Sequence, residues 1–432
     1  MGTLTVYPAI RLEGRLRAQP SKNYTTRFLL AAALSEGESR IEAPAESDDS
    51  RALQRCLLEL GASIVQDGSA LRVRGFGHRP RSGKTLNPGN AGAVLRLLIA
   101  ISALTEETDF VTDYPHSLGR RPQQDLLDAL GQIGVDSQSQ GGLLPIRVRG
   151  GHRLHPAEIK VQVGQSSQYA SGVLFLAPLL PFDSAVKLLG PLKSAAAIRQ
   201  TIDTLRRFGI TLQVSPDLRQ IAIPGQQSFQ PRSLTVPGDY PGSLALLAAA
   251  ALRPGQVTVD NLQADDLQGE RAALDVLIRM GADLERSGDA VTVRGGRALH
   301  GVVEDGDPFT DAVQALCAAA ALAEGTTIWH NVATLRLKEC DRISDTRAEL
   351  RKLGVDCDEG EDRLILRGKP AIEGGVCLDS HGDHRMVMML CALGLAAQRP
   401  VVIAEPQHIA KSYPDFFGHL RALGAQLEVS DS

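Results

Sequence analysis

The chain has 432 residues, is 43% apolar and 22% charged, and carries a formal net charge of −4. That length exceeds one ordinary core and suggests two or three domains, while the near-balanced charge argues against a generic nucleic-acid or membrane binder. The six cysteines (Cys56, Cys317, Cys340, Cys357, Cys377, Cys391) are scattered with no C-x-x-C pair, so neither a disulfide framework nor a zinc site is indicated, and reduced thiols in a cytoplasmic protein are expected.

The first segment, MGTLTVYPAIRLEG, lacks the apolar core of a signal peptide and reads as a strand over Thr3–Tyr7. Nor does any uncharged apolar run approach the roughly 20 residues needed to span a bilayer. From there the chain repeats one phrase six times, an alanine-rich helix followed by a leucine-rich helix that ends in Gly and a short strand. The first unit opens with Ser21-Lys22-Asn23, reaches Arg27 one turn into RFLLAAALSEG, passes Gly61 in LLELGASI and turns at Asp67-Gly68. Next come Asn90-Ala91-Gly92, Arg96 in AGAVLRLLIAISAL, the Arg120-Arg121-Pro122 loop, Gly134 in LGQIGVDS and a turn at Gly141-Gly142. The third opens with Gln165-Ser166-Ser167-Gln168, and Pro178 should kink or stop its alanine-rich helix; Gly209 and a turn at Pro216-Asp217 follow.

The fourth unit starts at Gly238-Asp239 and continues through Gly281 to Ser287-Gly288. Thr310-Asp311 opens the fifth, whose charged stretch LRLKECDRI holds Arg336, Lys338, Glu339, Asp341 and Arg342 ahead of Gly354 and a turn near Gly360. In the sixth, Gly382-Asp383-His384-Arg385 leads the helix, Lys411 lies in AKSYPDFF, and Gly424 precedes a strand that runs out at the end. The N-terminal strand is the expected completion of that last unit. It would make one domain discontinuous, residues 1–19 with 237–432, and leave 20–236 as the other. The alanine-rich helices, apolar nearly all round, should pack together inside, with their partners nearer solvent.

Helix N-termini carry free N–H groups and about half a positive charge, so cations there are disfavoured by roughly 0.3–1 kcal/mol. Lys22, Arg27, Arg96 and Arg385 break that rule, and a bound phosphate or carboxylate would compensate them. Asp239, Asp311 and Glu339 are the carboxylates placed to move protons among these cations. His381-Gly382-Asp383-His384 comes with no HExxH or Cys/His set, so no metal is expected. Gly89-Asn90-Ala91-Gly92 lacks a GK[ST] ending and is not a P-loop, and no GxGxxG follows a strand. No cofactor is indicated.

SK-x4-R at 21–27, NAG-x3-R at 90–96, RRP at 120–122, SSQ at 166–168, LRxKExDR at 335–342, DHRM at 383–386 and K-x-YPDFF at 411–417 occur in this order. Together they resemble the 5-enolpyruvylshikimate-3-phosphate synthase family of enolpyruvyl transferases, essentially end to end. The resemblance implies an α/β (α+β) fold of two similar domains, each of three βαβαββ units about a pseudo-threefold axis, closing over substrates held between them. The implied reaction transfers the enolpyruvyl group of phosphoenolpyruvate to the 5-hydroxyl of shikimate 3-phosphate, in aromatic amino acid and chorismate biosynthesis. By motif, Lys22, Asn90, Gly92, Arg121, Arg342, Arg385 and Lys411 resemble the phosphoenolpyruvate side. Lys22, Asn23, Arg27, Ser166, Ser167, Gln168, Ser194, Arg199, Asp311, Thr334 and Lys338 resemble the shikimate 3-phosphate side. The catalytic set would be Asp311, Glu339, Lys22 and His384. A cytoplasmic monomer acting on small molecules, without nucleic acid or membrane partners, is implied.

Departures from the family pattern are Pro20 for Gly and Asn23 for Ser in the first motif, Ala93 after NAG, Thr334 for Asn, and Ser194-Ala195-Ala196-Ala197 where SxPY is usual. The family's tyrosine is therefore absent at Ala197, and Arg199 is a candidate replacement contact. The nearest alternative is UDP-N-acetylglucosamine enolpyruvyl transferase. Its mobile loop carries a cysteine where this chain has His116, five residues before Arg121.

Overall fold

A computed structural model describes residues 2–430, apart from the side chain of His152. The chain divides into two compact units, one being Pro20–Val236 and the other joining the segment up to Gln19 with the chain from Pro237 onward. Each has its own apolar core.

The Pro20–Val236 unit holds α1 (Lys22–Ala33), α2 (Asp48–Leu60), α3 (Gly92–Ile101), α4 (Gln124–Gly131), α5 (Gln168–Leu176) and α6 (Ala195–Arg207). In the other lie α7 (Tyr240–Ala251), α8 (Ala273–Arg279), α9 (Val313–Ala321), α10 (Arg342–Lys352), α11 (His384–Ala396) and α12 (Phe416–Ala422). Odd-numbered helices are the alanine-rich ones. Every residue of α7, α9 and α11 is buried, and these three pack on one another because alanine lets backbones approach closely. In the first unit α3 packs against α5, whereas α1 lies against α2 and α6. Helix α5 stops at Leu176, and Pro178 falls in a short 3-10 turn.

The even-numbered helices bury one side only. On α2, Ala52, Leu53, Cys56, Leu57 and Leu60 face inward, and Ser47 caps its start by accepting from the Ser50 N–H. Gly61 ends it at φ 109°, the left-handed region in which an L side chain is strained. The five equivalent glycines, Gly134, Gly209, Gly281, Gly354 and Gly424, also have positive φ. That shared conformation is what fixes the period of the sequence.

Six four-stranded sheets result, one per unit. In the first sheet Glu38–Glu42 pairs antiparallel with Ala70–Arg74 of the Asp67-Gly68 hairpin and parallel with Ser233–Thr235, which returns from the end of the same unit. In the sixth, Thr3–Val6 lies antiparallel between Val401–Ala404 and Leu427–Ser430, supplying the strand missing from the chain's end. Gly14–Arg17 then joins the fourth sheet beside Gly255–Asp260.

A second glycine repeat escapes the eye in the sequence. Gly75, Gly150, Gly225, Gly295 and Gly368 each lie at or just past the end of the outgoing hairpin strand. A Cβ there would overlap backbone carbonyls, such as those of Ala250 and Arg253 at Gly295. Here glycine is required by close backbone approach, at the point where each sheet crosses the end of its alanine-rich helix.

Candidate active site

Within Pro20–Val236, the cations singled out by the sequence lie at the starts of α1 and α3. Lys22, the first residue of α1, has its Nζ 2.8 Å from Asp49 Oδ2 on α2. Asn23 follows it, and its carbonyl accepts from Arg27 Nη1 at 3.0 Å. Arg27 also donates to Thr201 Oγ1 and to the Ala197 carbonyl on α6, both at 3.0 Å. Burial lowers its pKa to about 10. These hydrogen bonds run to protein acceptors, and those to Thr201 and Ala197 tie α1 to α6.

Arg96 is fixed by Gln123 Oε1 at 3.1 Å, Gln168 Oε1 at 2.8 Å and Ser166 Oγ at 3.3 Å, with its guanidinium 5.1 Å from the Tyr169 ring centre. Ser167 is buried at the start of α5. Arg121 is buried and donates to Ser117 Oγ at 3.3 Å. A Cβ on Gly92 would come 3.0 Å from Arg121 Nη1 and 3.6 Å from Arg96 Nη1. Two guanidiniums therefore converge on the first residue of α3, beside Asn90, and glycine leaves them room. Helix N–H groups and two cations thus share one place, an arrangement that favours an anion. Ser194 holds a left-handed φ of 48° before α6, and Arg199 is exposed one turn along that helix.

In the second unit the chemistry centres on Arg342, the first residue of α10 and only 1% exposed. Its Nε donates to Asp383 Oδ2 at 2.7 Å and its Nη2 to Asp383 Oδ1 at 3.2 Å and Glu339 Oε2 at 3.0 Å. Nη1 donates to Asp311 Oδ1 at 3.1 Å. Burial disfavours the guanidinium charge, but Asp383, Glu339 and Asp311 outweigh it and raise the pKa well beyond the usual value. Lys411 stands 3.3 Å from Glu339 Oε1, Lys338 3.2 Å from Asp311 Oδ1, and Arg385 Nη2 4.0 Å from Asp311 Oδ2. The buried Arg385 Nε has no hydrogen-bond partner among the described residues.

Asp311 belongs to a 3-10 turn, Asp307–Ala312, that precedes α9, not to the helix itself. Asp383 caps α11 by accepting from the Arg385 N–H at 2.7 Å, which orients both its own carboxylate and the following His384 and Arg385. Thr334 is buried in the turn Ala333–Leu337, and its Oγ1 lacks a hydrogen-bond partner among the described residues. Glu339, Asp383 and His384 approach one another closely enough to surround an ion. Arg342 and Lys411 already neutralise those carboxylates, so the set does not invite a metal.

For Lys22, Arg342 and Lys411 the counter-charges come from the chain itself, through Asp49, Asp383, Asp311 and Glu339. Asp49 gives no signal in the sequence, because an acid in the first turn of a helix is ordinary. Glu270 was equally invisible. It lies in the turn Gly269–Ala272 packed against the Asp307–Ala312 turn, and its pKa is pushed up to about 7 by burial, then by the charges of Asp311 and Asp239, with Arg385 opposing.

Among the described residues, no helix is long and apolar enough to cross a membrane. The family model for EPSP synthase (3-phosphoshikimate 1-carboxyvinyltransferase) matches residues 6–420. A 3-phosphoshikimate 1-carboxyvinyltransferase of Deinococcus radiodurans is 57% identical over 427 residues, covering 99% of this chain and 97% of the relative. One from Burkholderia pseudomallei is 35% identical, covering 96% and 93%. The solved EPSP synthase of Acinetobacter baumannii superposes with a TM-score of 0.82 at 25% identity over the whole of both chains. With the fold, the six repeats and the family match in agreement, the chain belongs to the EPSP synthase (3-phosphoshikimate 1-carboxyvinyltransferase) family and is a transferase.

Proposed function

We propose that the chain joins the enolpyruvyl group of phosphoenolpyruvate to the 5-hydroxyl of shikimate 3-phosphate, releasing phosphate. The observation that carries this reading is the Arg342 cluster, in which one buried guanidinium aligns Asp311, Glu339 and Asp383 beside Lys411. Asp311 accepts the proton of the 5-hydroxyl as that oxygen attacks C2 of phosphoenolpyruvate. Glu339, in its protonated form, delivers a proton to C3, and the product is a tetrahedral ketal that still bears phosphate. Elimination then reverses the carbon step: Glu339 takes a proton from the new methyl group, the C2–O bond to phosphate breaks, the double bond re-forms, and the proton held by Asp311 passes to the departing phosphate, which restores both carboxyl groups.

Lys22 and Lys411 neutralise the departing phosphate, while Arg121, Arg342, Arg385, Asn90 and the N–H end of α3 at Gly92 hold the phosphoenolpyruvate anion. Asn23, Arg27, Ser166, Ser167, Gln168, Ser194, Arg199, Thr334 and Lys338 serve shikimate 3-phosphate, with Arg199 standing in for the missing tyrosine. His384 steadies Glu339. Burial strengthens the contacts of Arg121, Arg342, Arg385 and Lys411 toward developing charge. The same reading makes the protein a cytoplasmic monomer with small-molecule partners, in keeping with its unpaired cysteines.

The test is phosphate release by purified protein given phosphoenolpyruvate with either shikimate 3-phosphate or UDP-N-acetylglucosamine. Release with the first acceptor alone is expected; release with the sugar nucleotide alone overturns the assignment. Arg199→Ala should raise the KM for shikimate 3-phosphate several-fold while leaving that for phosphoenolpyruvate alone.

A further inference from the structure

Three residues of α10, Arg342, Asp345 and Glu349, follow at intervals of three and four and so share one face of the helix. The loop Asp379–Asp383, which leads into α11, lies along that face in the opposite direction. At its far end the Asp379 N–H donates to Glu349 Oε2 at 2.9 Å. In the middle, His381 sits between two acids, with Nε2 2.8 Å from Glu349 Oε1 and Nδ1 3.5 Å from Asp345 Oδ1. At the near end Asp383 receives Arg342. The loop is thus pinned at three points, and His381 is the central one.

The backbone needs such a pin. His381 and Gly382 are both left-handed, at φ 51° and 69°, and a non-glycine residue is held there only when its surroundings enforce it. Glu349 is 1% exposed, so its carboxylate must be compensated; it has the imidazole, the Lys352 ammonium at 2.8 Å and the Asp379 N–H. Cys340 Sγ lies 3.7 Å from Asp383 Oδ2 and His384 Nδ1 3.6 Å from Asp383 Oδ1.

We propose that His381, as an imidazolium bridging Asp345 and Glu349, is a positioning residue that sets the Asp383 carboxylate and through it the Arg342 guanidinium. It touches no reacting atom. The charged groups around it are Asp345, Glu349 and Lys352 on α10, Asp379 and Asp383 in its own loop, and Glu405 with His408 in the turn facing Gly382. Their balance is acidic. The His381 pKa is raised, first by the Glu349 hydrogen bond, with burial opposing and Asp345 and Asp379 adding to the rise. Burial alone would lift Glu349, but His381, Lys352 and the Asp379 N–H bring it below its usual value.

The sign follows from those two directions. A raised histidine contributes fully below its ordinary value of about 6.5 and loses its contribution as pH climbs through the folded pKa; a lowered glutamate loses its contribution as pH falls through its own. The clamp is therefore complete in between, and it slackens on the alkaline side. Neutral imidazole keeps one N–H for Glu349 but no charge for Asp345.

The inference rests on the reading of Arg342 as part of the site, so the test has two arms, comparing wild type with His381→Asn and Glu349→Gln from pH 6 to 9. Asparagine tolerates the left-handed backbone, and glutamine keeps a hydrogen-bonding group in place of the buried acid. In the first arm, the variants' kcat/KM for phosphoenolpyruvate should be about tenfold down at pH 6.5, chiefly through KM, and the ratio to wild type should shrink toward one as pH rises. A ratio that stays constant, or equals one throughout, overturns the proposal, since a merely structural role would not follow the histidine's titration. In the second arm, the Tm difference between wild type and His381→Asn should be largest near pH 6.5 and diminish by pH 9. A flat difference refutes the clamp itself. Wild type that shows the thermal signature but no enolpyruvyl transfer would refute the assigned reaction and leave the clamp standing.

Discussion

Arg342→Lys separates two roles that the site could assign to this residue. If Arg342 is only a ligand for substrate anions, lysine keeps the charge and the free protein should be unaffected. If it is the hub that aligns the carboxylates, the planar fork matters. Four hydrogen bonds run from its three nitrogens to Asp383, Glu339 and Asp311, with lengths between 2.7 and 3.2 Å. An ammonium has three donors around one atom and cannot reach three carboxylates spread across a guanidinium. Breaking part of a buried ion cluster costs about 3–5 kcal/mol, and the partial exposure of Asp311 places the expectation at the lower end. At roughly 2–4 °C per kcal/mol for a unit of this size, the calorimetric transition of the Arg342-bearing unit should fall by about 6–12 °C without any substrate. Turnover should drop at least 10²-fold, because Asp311 and Glu339 lose their common anchor. A variant whose ligand-free Tm lies within about 2 °C of wild type, with a raised KM as its sole defect, would refute the hub.

Gly295→Ala should lower the same unit's stability by about 3 kcal/mol, because the new methyl would overlap two backbone carbonyls that no side-chain rotation can clear. Gly131→Ala should do the reverse, raising the stability of the Pro20–Val236 unit by about 0.5–1 kcal/mol, since that helical position opens onto empty space; calorimetry reads both. Asp49→Asn leaves Lys22 without its acidic partner at 2.8 Å and should destabilise its unit by about 3 kcal/mol. Added shikimate 3-phosphate should then raise the Tm more in the variant than in wild type, because its phosphate replaces the lost carboxylate; an equal rise would contradict this.

What the sequence disclosed followed from local rules. A glycine forced into the left-handed region at a helix end leaves a mark that recurs wherever the motif does, so Gly61 and its five equivalents revealed the architecture. The last unit's missing strand was legible because hairpin arithmetic failed at the C-terminus, and Thr3–Val6 fills that place. The second set of glycines stayed hidden. Nothing near Gly295 in the chain announces that Ala250, some forty residues earlier, passes against it. Counter-ions were hidden for the same reason. Arg342 and Asp383 are 41 residues apart, and Lys22 and Asp49 are 27 apart. Cations at helix starts are visible as breaches of a local rule; the acids that answer them are fixed by tertiary packing alone.

That internal neutralisation has a consequence for binding. With Arg342, Lys338 and Lys411 already facing acids, an arriving anion meets a cluster close to balance, and Glu270 is the group whose charge can yield. Its pKa of about 7 reflects burial, then Asp311 and Asp239, against the relief given by Arg385. An anion that occupies Arg385 removes part of that relief and adds negative charge nearby, so the pKa must move up. Above pH 7 the result is net proton uptake on binding. Titration calorimetry with phosphoenolpyruvate and shikimate 3-phosphate at pH 8, in two buffers of different ionisation heat, should show that uptake; both substrates are fully ionised there and contribute none. Glu270→Gln should abolish the buffer dependence. The same raised pKa means that folding takes up a proton between about pH 4.5 and 7, so Glu270 weighs against the native state as pH rises through that window. Glu270→Gln should accordingly be more stable than wild type at pH 8, with no such advantage below pH 4.5. Heats that do not depend on the buffer, or a dependence that survives in Glu270→Gln, would show that the charge of the arriving anion is absorbed elsewhere.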